Sequence, residues 1–222
     1  MKSRIHRHAT HVEMRRETVA KKRVRRTQDE RSAATRALLL DATVACLHEL
    51  GYANTTTTVI ADRAGVSRGA QLHHFPTKKE LVTTAVEHIL EKRLHDFRSA
   101  FASLPADTPD KLGAVIDLLW KGVDSPAFYA WLELAVAART DKALRRACAR
   151  IDHRFNDAVK ETFRNVFGMP QSPSPFDVAP SFALLLLQGL AIDKMVLEKQ
   201  SKAESVLKVF KALAKMGMRG LV

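Results

Sequence analysis

Cysteine is almost absent from this sequence. Cys46 and Cys148 are the only two in 222 residues, too few for a disulfide framework, and the N-terminus lacks the apolar core and cleavage site of a secretory leader. A reducing, cytoplasmic location is therefore expected. Long apolar runs are missing too. No run exceeds the length of Phe182 to Leu187, which falls far short of the ~20 residues that cross a bilayer, so no membrane partner is expected. Glycine and proline number only nine and eight, which argues against a turn-rich all-β fold and leaves the composition of helix formers. Chemistry-bearing motifs are equally scarce. The sequence has no nucleophile elbow, no Gly-rich phosphate loop, no CxxC and no HxxxH pair. Neither a metal nor a cofactor is expected, and an enzyme is the weaker alternative.

What the sequence has in excess is positive charge, a formal +12, and the charge is unevenly placed. Residues 1–28 hold ten Lys or Arg against Glu13 and Glu17, a net of +8. Such a run is either a solvated tail or an arm that touches a polyanion, with Lys21 to Arg26 as its densest part. By contrast, residues 29–75 carry a net of −1.

Punctuation divides the rest into about nine helices. Thr27 with Glu30 is a capping box and Gly51 a natural stop, giving a first helix over 28–50 with Ala37, Leu40, Val44 and Leu47 inward. Short helices over 57–64 and 68–75 follow, separated by Gly65-Val66 and the N-cap candidate Ser67. Thr77 and Glu80 open a fourth, to about residue 103, with Leu81, Ala85, Ile89 and Leu90 on one side. Further helices are expected near 110–123, 126–139, 142–167, 177–199 and 202–217. The predicted fold is all-α: a tail over 1–27, a three-helix unit over 28–76 and a larger helical bundle over 77–222.

The stretch from Thr55 to Phe75 has the spacing of a helix-turn-helix. Ile60 and Ala61 face inward, Ala64 permits close approach, Gly65 takes a left-handed conformation, and Val66 plugs the joint. Ser67 then caps a second helix whose first residues, Arg68, Gly69 and Ala70, are placed to meet base edges in a major groove. Double-stranded DNA is the partner this pattern implies.

Leu39 to Ala42, Gly51-Tyr52, Ile60 to Ser67 and His73-His74-Phe75-Pro76-Thr77-Lys78 together resemble the TetR family of bacterial regulators, over about residues 32–85. The resemblance implies a homodimeric transcriptional regulator, most often a repressor, whose C-terminal bundle holds a small-molecule effector that releases DNA. It also implies roles. Thr56 caps the second helix and can donate to phosphate, Thr58 and Arg68 approach bases or backbone, and Gly69 and Ala70 lie close to DNA. His73, His74 and Lys78 fall at phosphate-contact positions. The sequence departs from the family pattern at Gln71-Leu72, where the family has Leu-Tyr, and Gln71 and Ser67 join the DNA-facing candidates.

Trp120, Phe128, Trp131 and Phe155 on the middle helices are candidate pocket residues, with core packing as the other reading. Few charges fall on the inward stripes, so an apolar or amphipathic effector is expected. The helix over 177–199 is apolar around almost its whole circumference and must be buried on several sides. This points to a dimer interface through Leu186, Gly189, Leu190 and Met195. A DNA-binding protein with a solid, ligand-free bundle is the alternative from a different class.

Overall fold

The computed structural model describes residues 27–168 and 175–219, which form nine α-helices and no strand. They are α1 (Gln28–Asn54), α2 (Thr57–Ala64), α3 (Arg68–His74), α4 (Lys78–Ala102), α5 (Lys111–Val123), α6 (Pro126–Ala137), α7 (Lys142–Phe167), α8 (Ala179–Leu197) and α9 (Ala203–Arg219). Single 3₁₀ turns, Pro175–Val178 and Glu198–Gln200, flank α8. The basic tail through residue 26 lies outside the described residues.

The helix starts are fixed by side chains that satisfy orphan backbone donors. Thr27 and Glu30 form the reciprocal capping box, with Thr27 N donating to Glu30 Oε2 at 2.7 Å and Glu30 N to Thr27 Oγ1 at 3.2 Å. Thr77, Asp110, Ser125 and Asp141 cap α4 to α7 in the same way from one side. Gly51 behaves differently from a simple stop. At φ 73° and ψ 169° it breaks α1 into a long helix and a further turn that runs on to Asn54.

Two apolar clusters form the core. The smaller joins Leu39, Leu40, Ala42 and Cys46 of α1 to Ile60, Phe75, Leu81 and Ala85, binding α1, α2 and α3 to the start of α4. The larger fills the bundle with residues of α4 to α9 and takes Val44 and Leu47 from the other side of α1. Thus α1 and α4 serve both clusters. On α7 the buried stripe runs Leu144, Cys148, Ile151, Phe155 and then Val159. Strict alternation of four and three would continue to Ala158 and Thr162, but a mean repeat of about 3.5 falls behind the ~3.6 residues of a helical turn, and both are only half-buried. Burial pushes the Cys148 thiol up to about 11, so this side chain is a small hydrophobe rather than a reactive thiolate.

The segment Ala179–Gln200 is long and apolar enough, by length and composition, to cross a membrane. Its burial pattern gives another account of its composition. Leu184, Leu187, Leu190 and Ala191 are buried within the protomer, whereas Phe182, Leu185, Ile192 and Val196 are exposed on the opposite side. Leu190, expected at a dimer interface, is therefore a residue of its own protomer's core. Leu186 is half-buried and Gly189 and Met195 are exposed.

Candidate functional site

The α2–turn–α3 unit is held by local chemistry. Thr56 Oγ1 accepts from Val59 N at 3.2 Å, and Gly65 ends α2 at φ 63°, ψ 31°, a left-handed conformation in which its N–H reaches the carbonyls of Ala61 and Asp62. Ser67 Oγ then accepts from Ala70 N at 3.2 Å and starts α3. Ile60, Ala61 and Phe75 are fully buried beneath. What this leaves outside is one face. Thr56, Thr58, Ser67, Arg68, Gly69 and His73 are exposed, and Ala70, His74 and Lys78 half-exposed at its edge. The Arg68 guanidinium donates to the Thr58 hydroxyl across the turn, so the two side chains form one polar unit.

Gln71 is a correction. Expected on this face, it is completely buried, and its Nε2 donates to Phe75 O at 2.7 Å, closing the end of α3. The reason is helical register: Gln71 stands four residues before buried Phe75 and shares its side. Leu72, turned about 100° away, is 46% exposed and takes the outward position.

Lys78 is half-turned inward. Its ammonium donates to Tyr52 O at 3.0 Å and lies 4.5 Å from the Tyr52 ring, and partial burial lowers its pKa. Tyr52 is in turn gripped from the bundle, its N–H donating to Glu133 Oε2 of α6 at 2.8 Å. The Glu133 carboxylate approaches so closely that a Cβ on Gly51 would stand 3.2 Å from it. His48 stacks on Tyr129 of the same α6, with ring centroids 5.8 Å apart. Two turns of α6 are thereby keyed to the end of α1.

Inside the bundle, Phe128, Trp131 and Phe155 of the expected pocket residues come together, but around a residue missing from that set. Arg93 of α4 is 4% exposed, and its guanidinium carbon lies 4.0 Å from the Phe155 ring, 5.4 Å from Trp131 and 5.9 Å from Phe128. Nε, Nη1 and Nη2 are all buried without a hydrogen-bond acceptor among the described residues, as is Trp131 Nε1. Asp152 acts on Arg93 only through its field, and one of its oxygens accepts from Asn156 at 3.2 Å. Burial, only partly offset by Asp152, lowers the Arg93 pKa to about 10. Three aromatic faces contribute on the order of 2 kcal/mol of cation–π attraction. An unpaired buried ion costs several kcal/mol, so the rings do not balance the charge. Trp120 stands apart, half-buried, its ring 5.8 Å from the Lys194 ammonium.

Arg93 borders a cavity of about 150 Å³ walled by Phe97, Leu119, Val123, Ala127, Phe155 and Leu184, with Asp96, Lys121 and Ser125 at its rim. Few charges were expected on the inward stripes, and Arg93 is one that the set of pocket residues left out, although its signal was present. Arg93 follows Ile89 by four residues and Leu90 by three, squarely on the α4 stripe. A second cleft, about 470 Å³ and wholly apolar, lies between α5, α8 and α9. Its walls include exposed Phe182, Val209 and Leu213, so it opens onto the uncovered side of α8 and α9. None of the expected pocket residues lines it. Among the described residues, no three His, Cys, Asp or Glu side chains group as metal ligands would.

A capped helix-turn-helix with one polar face, set on a larger helical bundle, defines a DNA-binding transcriptional regulator. The family model of bacterial regulatory proteins, tetR family, matches residues 39–85. An HTH-type transcriptional regulator of Mycobacterium tuberculosis is 30% identical over 194 residues, 87% of this chain and 99% of that protein. The HTH-type transcriptional regulator CymR of Pseudomonas putida is 36% identical over 142 residues, 64% of this chain and 70% of its own. A transcriptional regulator from Saccharomonospora viridis, solved in complex with choline, shares the fold at TM-score 0.66 and 15% identity, over 82% of this chain and 96% of that one. The chain belongs to the TetR family.

Proposed function

We propose that this regulator is a cytoplasmic homodimeric repressor that leaves its operator when a small molecule enters the bundle, with residues 28–76 reading DNA and 77–222 sensing and dimerising. The observation that carries the reading is the single exposed polar face of α2 and α3, backed by a buried apolar one. Arg68, joined to Thr58, reads base edges. Leu72 adds apolar contact of the kind a thymine methyl offers. Thr56, Ser67, His73, His74 and Lys78 meet phosphate, where Lys78 keeps two ammonium donors free beyond the one given to Tyr52.

The uncovered side of α8 and α9 supports a two-fold partner. Val178, Phe182, Leu185, Gly189, Ile192 and Val196 recur in steps of four and three, and Val206, Val209, Leu213 and Met216 repeat the pattern on α9. A second copy on this seam would bury both rows and close the apolar cleft. Gly189 and Met195 belong to that seam. Release is carried by α6, because Phe128 and Trp131 face the interior while Tyr129 and Glu133 hold the end of α1 and, through Tyr52, Lys78.

The test is capture of genomic fragments by the purified protein, followed by affinity measurements on the fragment retained. Arg68→Ala should relax preference at one base position. Lys78→Ala should weaken specific and random DNA alike and make the salt slope shallower by about one per subunit. Identical effects of the two substitutions, or no selective capture, would defeat the assignment.

A further inference from the structure

We propose that the chamber beside Arg93 binds a small monocarboxylic acid whose apolar body is about the size of one aromatic ring. The role of that acid as effector rests on the release reading above.

Three observations converge on one chemistry. The guanidinium is a planar fork of donors, all three nitrogens are buried, and none has an acceptor among the described residues. A carboxylate is the complementary shape and takes two parallel hydrogen bonds from such a fork. The Trp131 indole N–H is also buried and unanswered, on a ring 5.4 Å from the guanidinium, although Trp131 does not itself line the chamber.

Second, the charge present selects a monoanion. One buried cation faces the chamber, with Asp152 nearby and Asp96 and Lys121 at the rim. A singly charged guest neutralises Arg93, whereas a phosphate dianion would bring an extra, heavily hydrated charge among Phe97, Leu119, Phe155 and Leu184. Third, the volume sets the size. About 150 Å³ is well under the roughly 300–1,000 Å³ of sites for drug-sized ligands. A ring or short chain fits, and a larger guest does not.

The place is also suited to a signal. Phe128 and Trp131, which flank Arg93, sit on the helix whose Glu133 carboxylate holds the Tyr52 N–H 2.8 Å away. An acid that draws the guanidinium toward itself changes the packing of α6 from its inner face.

The experiment uses the full chain with Trp120→Phe, so that Trp131 alone reports by fluorescence, and titrates benzoate, benzamide, hexanoate, hexanamide and inorganic phosphate. The acids should bind at least about tenfold more tightly than their amides, the usual consequence of losing a charge-assisted hydrogen bond. Phosphate should leave the signal unchanged. Arg93→Met, which keeps the volume and removes the charge, should bring acid affinity down to that of the amide, and Arg93→Lys should recover part of it. Amides binding as well as acids to the wild-type residue, no acid binding at millimolar concentration, or acid binding unchanged in Arg93→Met would overturn the proposal. Operator affinity is measured separately on the same samples. Arg93-dependent acid binding that leaves DNA affinity untouched would uphold the chamber and overturn the release reading.

Discussion

Around α2 and α3, the polar groups that folding buries are answered within a few residues, with the Gln71 Oε1 atom as the exception. Thr56 takes the N–H of Val59, Ser67 that of Ala70, and Gln71 gives its amide to Phe75. Around Arg93, three guanidinium nitrogens from α4 and an indole N–H from α6 find no acceptor among the described residues. The first region leaves one neutral amide oxygen, Gln71 Oε1, without a partner among the described residues and turns its polar face outward. The second keeps a cost inside the protein that an incoming anion would relieve.

The contrast can be tested by mutation, beginning with the largest effect. Phe75 is fully buried in the small cluster with the Arg36 guanidinium 4.4 Å from its ring. Phe75→Ala should cost about 3–5 kcal/mol. Hydrogen exchange should show the loss confined to α1–α3, with the α7–α9 amides protected as before. Gly51→Val should cost about 1–3 kcal/mol, because a β-branched residue cannot adopt φ 73°, ψ 169° and its Cβ would press on Glu133. Thermal denaturation measures it, and DNA affinity should fall with it.

The chamber should respond with the opposite sign. Arg93→Met is expected to raise stability by about 1–2 kcal/mol, because an unpaired buried cation gives way to an apolar chain of similar length. Chemical denaturation that shows Arg93→Met to be strongly destabilising would mean the guanidinium is a structural strut and would break the comparison. The smallest effect falls at Gly65, where a Cβ meets nothing within 4 Å. Gly65→Ala should cost only about 1 kcal/mol, for the left-handed conformation alone, and Gly65→Asn less. A calorimetric scan separates the two.

Most of the first region was legible in the sequence because its determinants are local. Capping residues, Gly65 and the apolar spacing of α1 to α3 act over three or four positions, and the α2 boundaries are as expected. Gln71, counted among the DNA-facing residues, is buried and Leu72 stands outward, because one residue of register turns a side chain about 100°, a margin that propensity cannot resolve. The chamber was only half legible. Phe128, Trp131 and Phe155 were candidates from their place on the middle helices, but Arg93 was overlooked on the same α4 stripe as Ile89 and Leu90. Its missing partner is a property of three helices meeting in space. The contact of Tyr52 with Glu133 spans 81 residues, and no local pattern announces it. Leu190 shows a related limit: on a helix apolar all round, composition does not say which side faces home.

The most direct test is a footprint on the captured operator, with wild-type protein and Arg93→Met, each with and without benzoate at a concentration that saturates the Trp131 signal. Without benzoate both proteins should protect the same sites. With it, protection by the wild type should disappear and protection by Arg93→Met should persist. A wild-type footprint that ignores the bound acid would contradict the account.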